Sequence, residues 1–426
     1  MAEADFTPVY ACRLCGSSSI FPVLDLGRQP LANNLTAPGR PEPATYPLSV
    51  IGCSGCGVMQ LSGSVDPREM FDDYLYFSSY STSMVGAMRV LAAETVDRFG
   101  LGPRDLVMEI ASNDGYLLGR YHNLGVRVLG IEPAANVARV AQEAGIDTRV
   151  DYFTSELASE MRQAGWVPRV IHANNVLAHV PDIHNLVEGI GILLDDDGAA
   201  IIETPYLIDL LDKGLFETIY HEHVFYYSLG ALQQLFTKHG MSIYDCEHLE
   251  VHGGSLRVTV RKGFGIAPTP RAVKAFETEA SRALQSESAF SGFVAEVSQE
   301  RVEVAEQLHR IRASGKSLAG YGAAAKATVL LNFARIDART IDYVVDKNPS
   351  KQGRTIPGTG IAVAPVERLQ EDPPDVVAVL VWNLADEVRS QLQWYTEAGG
   401  ELIVPLEERR SLDRGAASRA TPSHSR

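Results

Sequence analysis

The run Thr218 to Ser228, TIYHEHVFYYS, sets His221 and His223 on either side of Glu222 among three tyrosines. Such a cluster can hold a metal ion, move protons, or serve only as loop polarity, and its spacing does not choose between these. A second reactive set, CRLCG (Cys12, Cys15) and CSGCG (Cys53, Cys56), has the spacing that aims paired thiolates at one tetrahedral ion. A glycine after each pair permits the tight turn. Two such pairs predict a closed four-thiolate zinc site, which is structural because no coordination position stays open for chemistry. With the metal assigned to cysteine, the histidine run is available for acid/base work. Cys246 reads as a core thiol.

A chain of 426 residues exceeds one ordinary core, so two or three domains are expected. Hydrophobic content of 45% and charged content of 21% are those of a globular protein. No apolar run reaches the roughly 18 residues of a membrane span, and the amino terminus lacks signal-peptide character, which predicts a cytoplasmic protein with no membrane partner. The net charge of -15, with 38 dispersed Lys and Arg, argues against nucleic acid as a partner. A small ligand with one or two phosphates stays compatible with it, since a few cations or a helix amino terminus can hold such a group. The oligomeric state is left open, a monomer included.

Strands and helices must position these residues. Between the cysteine pairs, DLGRQPLANNLTAPGRPEPATYPL is rich in Pro, Asn and Gly and reads as a loop, a candidate substrate-facing arm. From about 85 to 245, DLVMEI, VRVLGIE, RVIHAN and GAAIIETP read as strands alternating with helices, which is a doubly wound α/β domain. A helical stretch over about 270–313 follows, then a second βαβ pattern through SLAGYGAAAKATVLLNF, TIDYVVD, VVAVLVWN and ELIVP.

In the first α/β domain the turn EIASNDGYLL lies at the end of the first strand, where doubly wound sheets bind ligands. Glu132, 23 residues after Glu109 and at the tip of the next strand, can accept hydrogen bonds from both hydroxyls of a ribose. Ala111, Ser112 and Asn113 stand where a dinucleotide site wants glycine, so a pyrophosphate is a poor guest. S-adenosylmethionine (SAM), with adenosine, no phosphate and a cationic sulfonium, suits the acidic turn of Glu109, Asn113, Asp114 and Gly115. Asn174, at the end of RVIHAN, joins this candidate set. Asp151 in DYF is placed to meet the adenine amine, with Tyr152 as an aromatic wall or as plain packing.

The cysteine pairs with DLGRQPLANNL between them, EIASNDGYLL, HVPD, YHEH, HGGSLR, GYGAAAKA and VVDKNPSKQG occur in one order over nearly the whole chain. In these motifs the sequence resembles the zinc-containing, SAM-dependent sugar C-methyltransferases that act on NDP-keto-deoxysugars in antibiotic biosynthesis. It departs from sugar-modifying members that carry glycine within the cofactor turn. The resemblance implies a zinc-binding domain over 1–65, a class I Rossmann-like methyltransferase domain over 66–250, a Rossmann-like α/β domain for substrate and nucleotide over 251–406, and a disordered tail over 407–426.

It further implies that His223 removes the proton alpha to a ketone, with Tyr220 and Glu222 beside it. Glu222 would orient the imidazole or raise its pKa, and Tyr220 would bond a sugar oxygen. His179, in NNVLAHVPD, is the candidate for holding the enolate oxygen, and His221 a bystander. Tyr76, Ser78 and Ser79 then face the substrate. Gly320, Gly322 and the helix start through Lys326 approach the diphosphate, with Lys351 of KNPSKQG a further phosphate cation.

The expected activity is methylation of an NDP-4-keto-6-deoxysugar at C3, with C5 as the alternative carbon. Three other readings stay open: a non-sugar acceptor, an NAD-dependent sugar oxidoreductase using the GYGAAAKA domain, and a zinc-ribbon binding module without activity.

Overall fold

The structure, a computed structural model, describes residues 6–66, 68–71, 78–80 and 82–407. The chain divides into two compact units, each assembled from separated stretches. One holds the chain up to Asn33, Ala44–Ile208 and Tyr220–Phe290; the other holds Asn34–Pro43, Asp209–Ile219 and the chain from Ser291. The expected tail lies outside the described residues apart from its first residue.

The first unit opens with β1 (Phe6–Pro8), β2 (Ile20–Pro30), β3 (Thr45–Cys53), β4 (Met59–Leu61) and β5 (Gly63–Val65). The stretch between the cysteine pairs is therefore loop only in its middle, because Asp25–Pro30 and Thr45–Pro47 extend two paired strands. The pairing tolerates Pro22 and Pro30 because β2 is the edge strand and its register shifts twice, between Pro22 and Leu24 and between Asp25 and Arg28. Gly27 takes φ of 79° at the second shift, its N–H donating to Asp25 Oδ1 at 2.8 Å.

The same unit continues through β6 (Leu106–Ile110), β7 (Arg127–Ile131), β8 (Thr148–Arg149), β9 (Val170–Asn174), β10 (Ala199–Pro205), β11 (Phe225–Tyr226), β12 (Met241–Leu249) and β13 (Ser255–Lys262). Seven of these form one sheet in the order β8-β7-β6-β9-β10-β13-β12, with β13 antiparallel to both neighbours and the rest parallel. Val107, Met108, Ile171, Ala173 and Ile202 are buried on both faces, as a helix-covered parallel sheet requires. Strand order reverses between β6 and β9, which opens a crevice at their carboxyl ends. Strand β13 and the helix Pro270–Ala280 belong to this unit, although the sequence reading sets the boundary at 250.

The remaining strand, β11, leaves the large sheet and pairs antiparallel with β4, giving a second sheet ordered β11-β4-β3-β2. The zinc ligands are built on its far end. The four Sγ atoms lie within 4.8 Å of one another, and Gly16 (φ 81°) and Gly57 (φ 74°) close the two knuckles with N–H bonds to the carbonyls of Cys12 and Cys53. The knuckle carbonyl of Leu14 accepts from Lys238 Nζ at 3.1 Å and lies 2.9 Å from His184 Nε2, fixing the knuckle to helices Leu229–Lys238 and Ile183–Leu193.

The second unit carries β14 (Leu318–Tyr321), β15 (Tyr343–Val345), β16 (Thr355–Ile356), β17 (Ile361–Ala364), β18 (Val376–Val379) and β19 (Glu401–Ile403). They are ordered β16-β17-β15-β14-β18-β19, the second expected βαβ domain, with only β16 antiparallel. Thr36 of the Asn34–Pro43 segment bridges to Thr355 within this unit. Among the described residues no helix is long and apolar enough to cross a membrane.

Zinc removal tests how the small sheet is held. Chelation or Cys53→Ser is expected to release zinc and lower Tm by roughly 10 °C, the effect of losing about 4 kcal/mol of metal-linked folding energy. Amide exchange at Leu61 and Val224, read by mass spectrometry, should accelerate in the same sample. Unchanged Tm and exchange after full metal loss would contradict a structural role.

Candidate active site

The turn after β6 adopts left-handed backbone at Ala111 (φ 52°), Asn113 (φ 50°) and Gly115 (φ 78°). It thus has glycine-like geometry at two non-glycine positions, a strain of about 1–2 kcal/mol at Ala111. The Glu132 carboxylate pins it, accepting from Asn113 N and Ala134 N, both at 2.9 Å. A carboxylate offers about four acceptor sites, so two remain for ribose hydroxyls. Gly130 on β7 allows the close approach, since a Cβ there would lie 2.3 Å from Ser112 Oγ.

Glu109, Asp114 and Asn174 complete the floor of the crevice. Asn174 Nδ2 donates to Glu109 Oε1 at 3.1 Å, while Glu109 Oε2, Asp114 Oδ1 and Asn174 Oδ1 are buried without a partner among the described residues. Burial, with repulsion from Glu132 and Asp114, holds the Glu109 pKa well above the usual carboxylate range, and burial likewise raises Glu132. Three buried acceptors lacking donors fit a ligand that is cationic and rich in N–H and O–H groups, as SAM is. Beneath them His172, which the sequence reading passed over, sits 2.7 Å from the Tyr121 hydroxyl, and burial lowers its pKa to about 3.

Ser78 and Ser79 reach this turn through their main chain, donating to Asn113 Oδ1 at 2.9 Å and Asp114 Oδ2 at 3.1 Å. Tyr76 lies outside the described residues. Asp151, just past β8, is paired with Arg149 at 2.9 Å, and Tyr152 beside it is 40% exposed. Phe153 is buried in the core.

The histidine loop is held from two sides. Val224 N donates to Ala178 O at 2.7 Å in the turn after β9, and Leu61 N of β4 donates to Val224 O at 2.9 Å. Tyr227 adds a bond from its hydroxyl to Leu177 O at 3.1 Å. This places His179 and His223 edge to face, ring centres 4.8 Å apart.

Tyr220, rather than Glu222, touches the imidazole: its hydroxyl lies 2.8 Å from His223 Nε2. The Glu222 carboxylate instead accepts from Asn33 Nδ2 at 2.7 Å, and burial raises its pKa to about 7. His179, bonded to the Glu222 main chain, is pulled by burial to about 4 and is neutral at neutral pH. His221 turns away, its Nε2 3.2 Å from Pro47 O, and is likewise lowered to about 4 by burial. Asn33 had a signal in the LANNL motif, but its partner lies 189 residues away.

In the second unit Gly322 follows β14 with φ of 97°, and a Cβ there would meet Val381 Cγ2 at 2.6 Å. Lys326, in the first turn of helix Ala325–Ala334, lies 4.9 Å over the Trp382 ring, and the Trp382 indole N–H donates to the buried Glu217. Lys351 Nζ donates to Ala323 O at 2.9 Å and pairs with Asp346 at 3.6 Å, so it braces the loop after β15.

Three family models match in chain order: a putative zinc binding domain over residues 12–71, a methyltransferase domain over 84–245 and a C-methyltransferase C-terminal domain over 250–407. The C-methyltransferase NovU of Streptomyces niveus is 34% identical over 410 residues, 95% of this chain and 97% of that protein. Among solved structures, magnesium protoporphyrin IX methyltransferase (ChlM) from Synechocystis with bound SAM aligns at TM-score 0.32 and 15% identity, covering 42% of this chain and 79% of that one. Mitomycin 7-O-methyltransferase MmcR aligns at TM-score 0.34 and 15% identity over 43% and 55%. Scores this low add nothing to what the strand order shows. The three domains in sequence, the four clustered thiolates and the match over nearly all of both chains establish that this chain belongs to the zinc-binding, SAM-dependent C-methyltransferases.

Proposed function

We propose that the protein methylates the carbon alpha to the ketone of an NDP-4-keto-6-deoxysugar, at C3. The observation that carries the reading is the Tyr220–His223 pair at 2.8 Å, set edge to face with His179. Carbon methylation needs a base for a weakly acidic C–H and a donor for the oxygen that gains charge, and the cluster has both kinds of group.

In this reading His223 takes the alpha proton, and the C–H electron pair moves into the enolate whose oxygen the neutral His179 N–H holds. Tyr220 fixes the His223 ring and the charge it gains. Glu132 and Asp151 hold the ribose and adenine of SAM, while Glu109, Asp114 and Asn174 accept from its donor-rich end. When bound, SAM supplies an electrophilic methyl on its sulfonium to the waiting carbon. Orientation of the two partners accounts for much of the acceleration.

The nucleotide belongs in this reading to the second unit. Gly322 and Lys326, with the start of helix Ala325–Ala334, are the anion-binding elements, and Trp382 offers a flat face. A dinucleotide reading of that unit is disfavoured by Asp346, whose carboxylate accepts from Ala323 N and Asn348 N, both at 2.8 Å, and is also paired with Lys351 at 3.6 Å, which leaves it fewer acceptor sites for a ribose than Glu132 has. The methylation of C5, and of a non-sugar ketone, are the alternatives that product analysis separates.

His223→Ala is expected to lower methyl transfer by about 10²- to 10⁴-fold, the range of a general base, and to lower exchange of the alpha proton into deuterated water equally. Tyr220→Phe should cost about 10- to 100-fold in both, from the lost bond to a charged ring. SAM binding by calorimetry should be unchanged in each, and wild-type exchange in His223→Ala would remove that residue from the role. Glu132→Ala should weaken SAM binding by about 10- to 100-fold, from loss of a charged acceptor. The variant should bind the nucleotide sugar as before; equal loss of both ligands would show that Glu132 supports the fold instead.

A further inference from the structure

We propose that Asn33 is a positioning residue of the acid/base cluster, its side-chain amide selecting the ionised Glu222 carboxylate and fixing where that charge points. The proposal rests on the acid/base role given above to the 220–223 loop. Asn33 Nδ2 donates to Glu222 Oε1 at 2.7 Å, a charge-assisted distance, and Glu222 is 3% exposed. No described Lys or Arg forms an ion pair with it. The Asn33 amide is the group that opposes the burial tending to protonate this carboxyl.

Among the described residues, no Lys or Arg beside Glu222 supplies a positive charge to replace it. His179, from the turn after β9, bonds the Glu222 main chain and is neutral, and His221, in the same loop, is neutral against Pro47 of β3. Tyr220 and His223 bond each other. Asn33 lies just past β2, so a residue delivered by the zinc-bearing sheet sets the charge state beside the base.

The sign follows from the direction of the shift. With Glu222 titrating near 7, the ionised form is lost as pH falls through neutrality, and activity that depends on it falls with it. Removing the amide raises the carboxyl further, and a hydrogen bond of this kind corresponds to about one to two pH units.

Zinc-loaded full-length Asn33→Ala and Asn33→Ser are to be compared with wild type and Glu222→Gln. The part of the acid limb of kcat/KM that belongs to Glu222 should move up by about one pH unit in the Asn33 variants and be lost in Glu222→Gln, which keeps only the limb of the base His223. In Asn33→Ala/Glu222→Gln the Glu222 part should also be absent, with no further loss. Infrared titration of the buried carboxyl, identified as the band lost in Glu222→Gln, should show the same upward shift without substrate, which keeps this test separate from the choice of acceptor. A uniform loss of activity at every pH, an unmoved infrared titration in Asn33→Ser, or a pH profile of unchanged shape in Glu222→Gln would overturn the proposal.

Discussion

Everything at the site depends on the main chain of one residue, Val224. Its N–H reaches the turn after β9 and its carbonyl the amide of Leu61, so one residue is locked to the cofactor-binding sheet and to the zinc-bearing sheet at once. Strand β11 continues the lock by pairing with Gln60 and Met59. Both bonds are buried, where an unmade main-chain bond is costly, so the loop has little freedom to slide. The Tyr220–His223 pair gains a fixed position from two sheets that meet in one core, which holds Cys12, Cys53 and Val58 together with Met108, Ile110 and Val224.

The cofactor crevice is built on a different principle. It stores unfavourable terms: left-handed backbone at Ala111 and Asn113, a carboxyl at Glu109 raised by burial, and buried acceptors without donors. Each destabilises the unliganded fold, and a cationic, donor-rich guest would satisfy the buried acceptors and the carboxyl. The parallel sheet beneath, with its fully buried aliphatic strands, is the stable body that tolerates such a rim.

What the sequence made legible was local. Paired cysteines with trailing glycines, a strand running into an acidic turn, and an acid at the next strand tip are each written within a few residues, and each folds as expected. Long-range pairings were not legible. Asn33 meets Glu222 across 189 residues, a contact no periodicity encodes, and this left Glu222 assigned to His223 when Tyr220 holds that ring. The prolines between the cysteine pairs read as loop because the sequence does not say that β2 is an edge strand, where proline costs little. Nor does it say that β13, beyond the expected boundary, completes the large sheet. The alternation of hydrophobic residues marks β13 as a strand without naming its partner.

The central claim, that a carbon beside a ketone on a nucleotide-linked sugar is the acceptor, is tested most directly by the bond that is made. Zinc-loaded protein incubated with SAM labelled with 13C in its methyl group and a panel of NDP-4-keto-6-deoxysugars, including uniformly 13C-labelled sugar, gives a product whose carbon NMR reads that bond. The account predicts a one-bond 13C–13C coupling between the new methyl and C3 of the sugar. A methyl signal without carbon coupling, as on oxygen or nitrogen, or transfer only to acceptors without a nucleotide would contradict it.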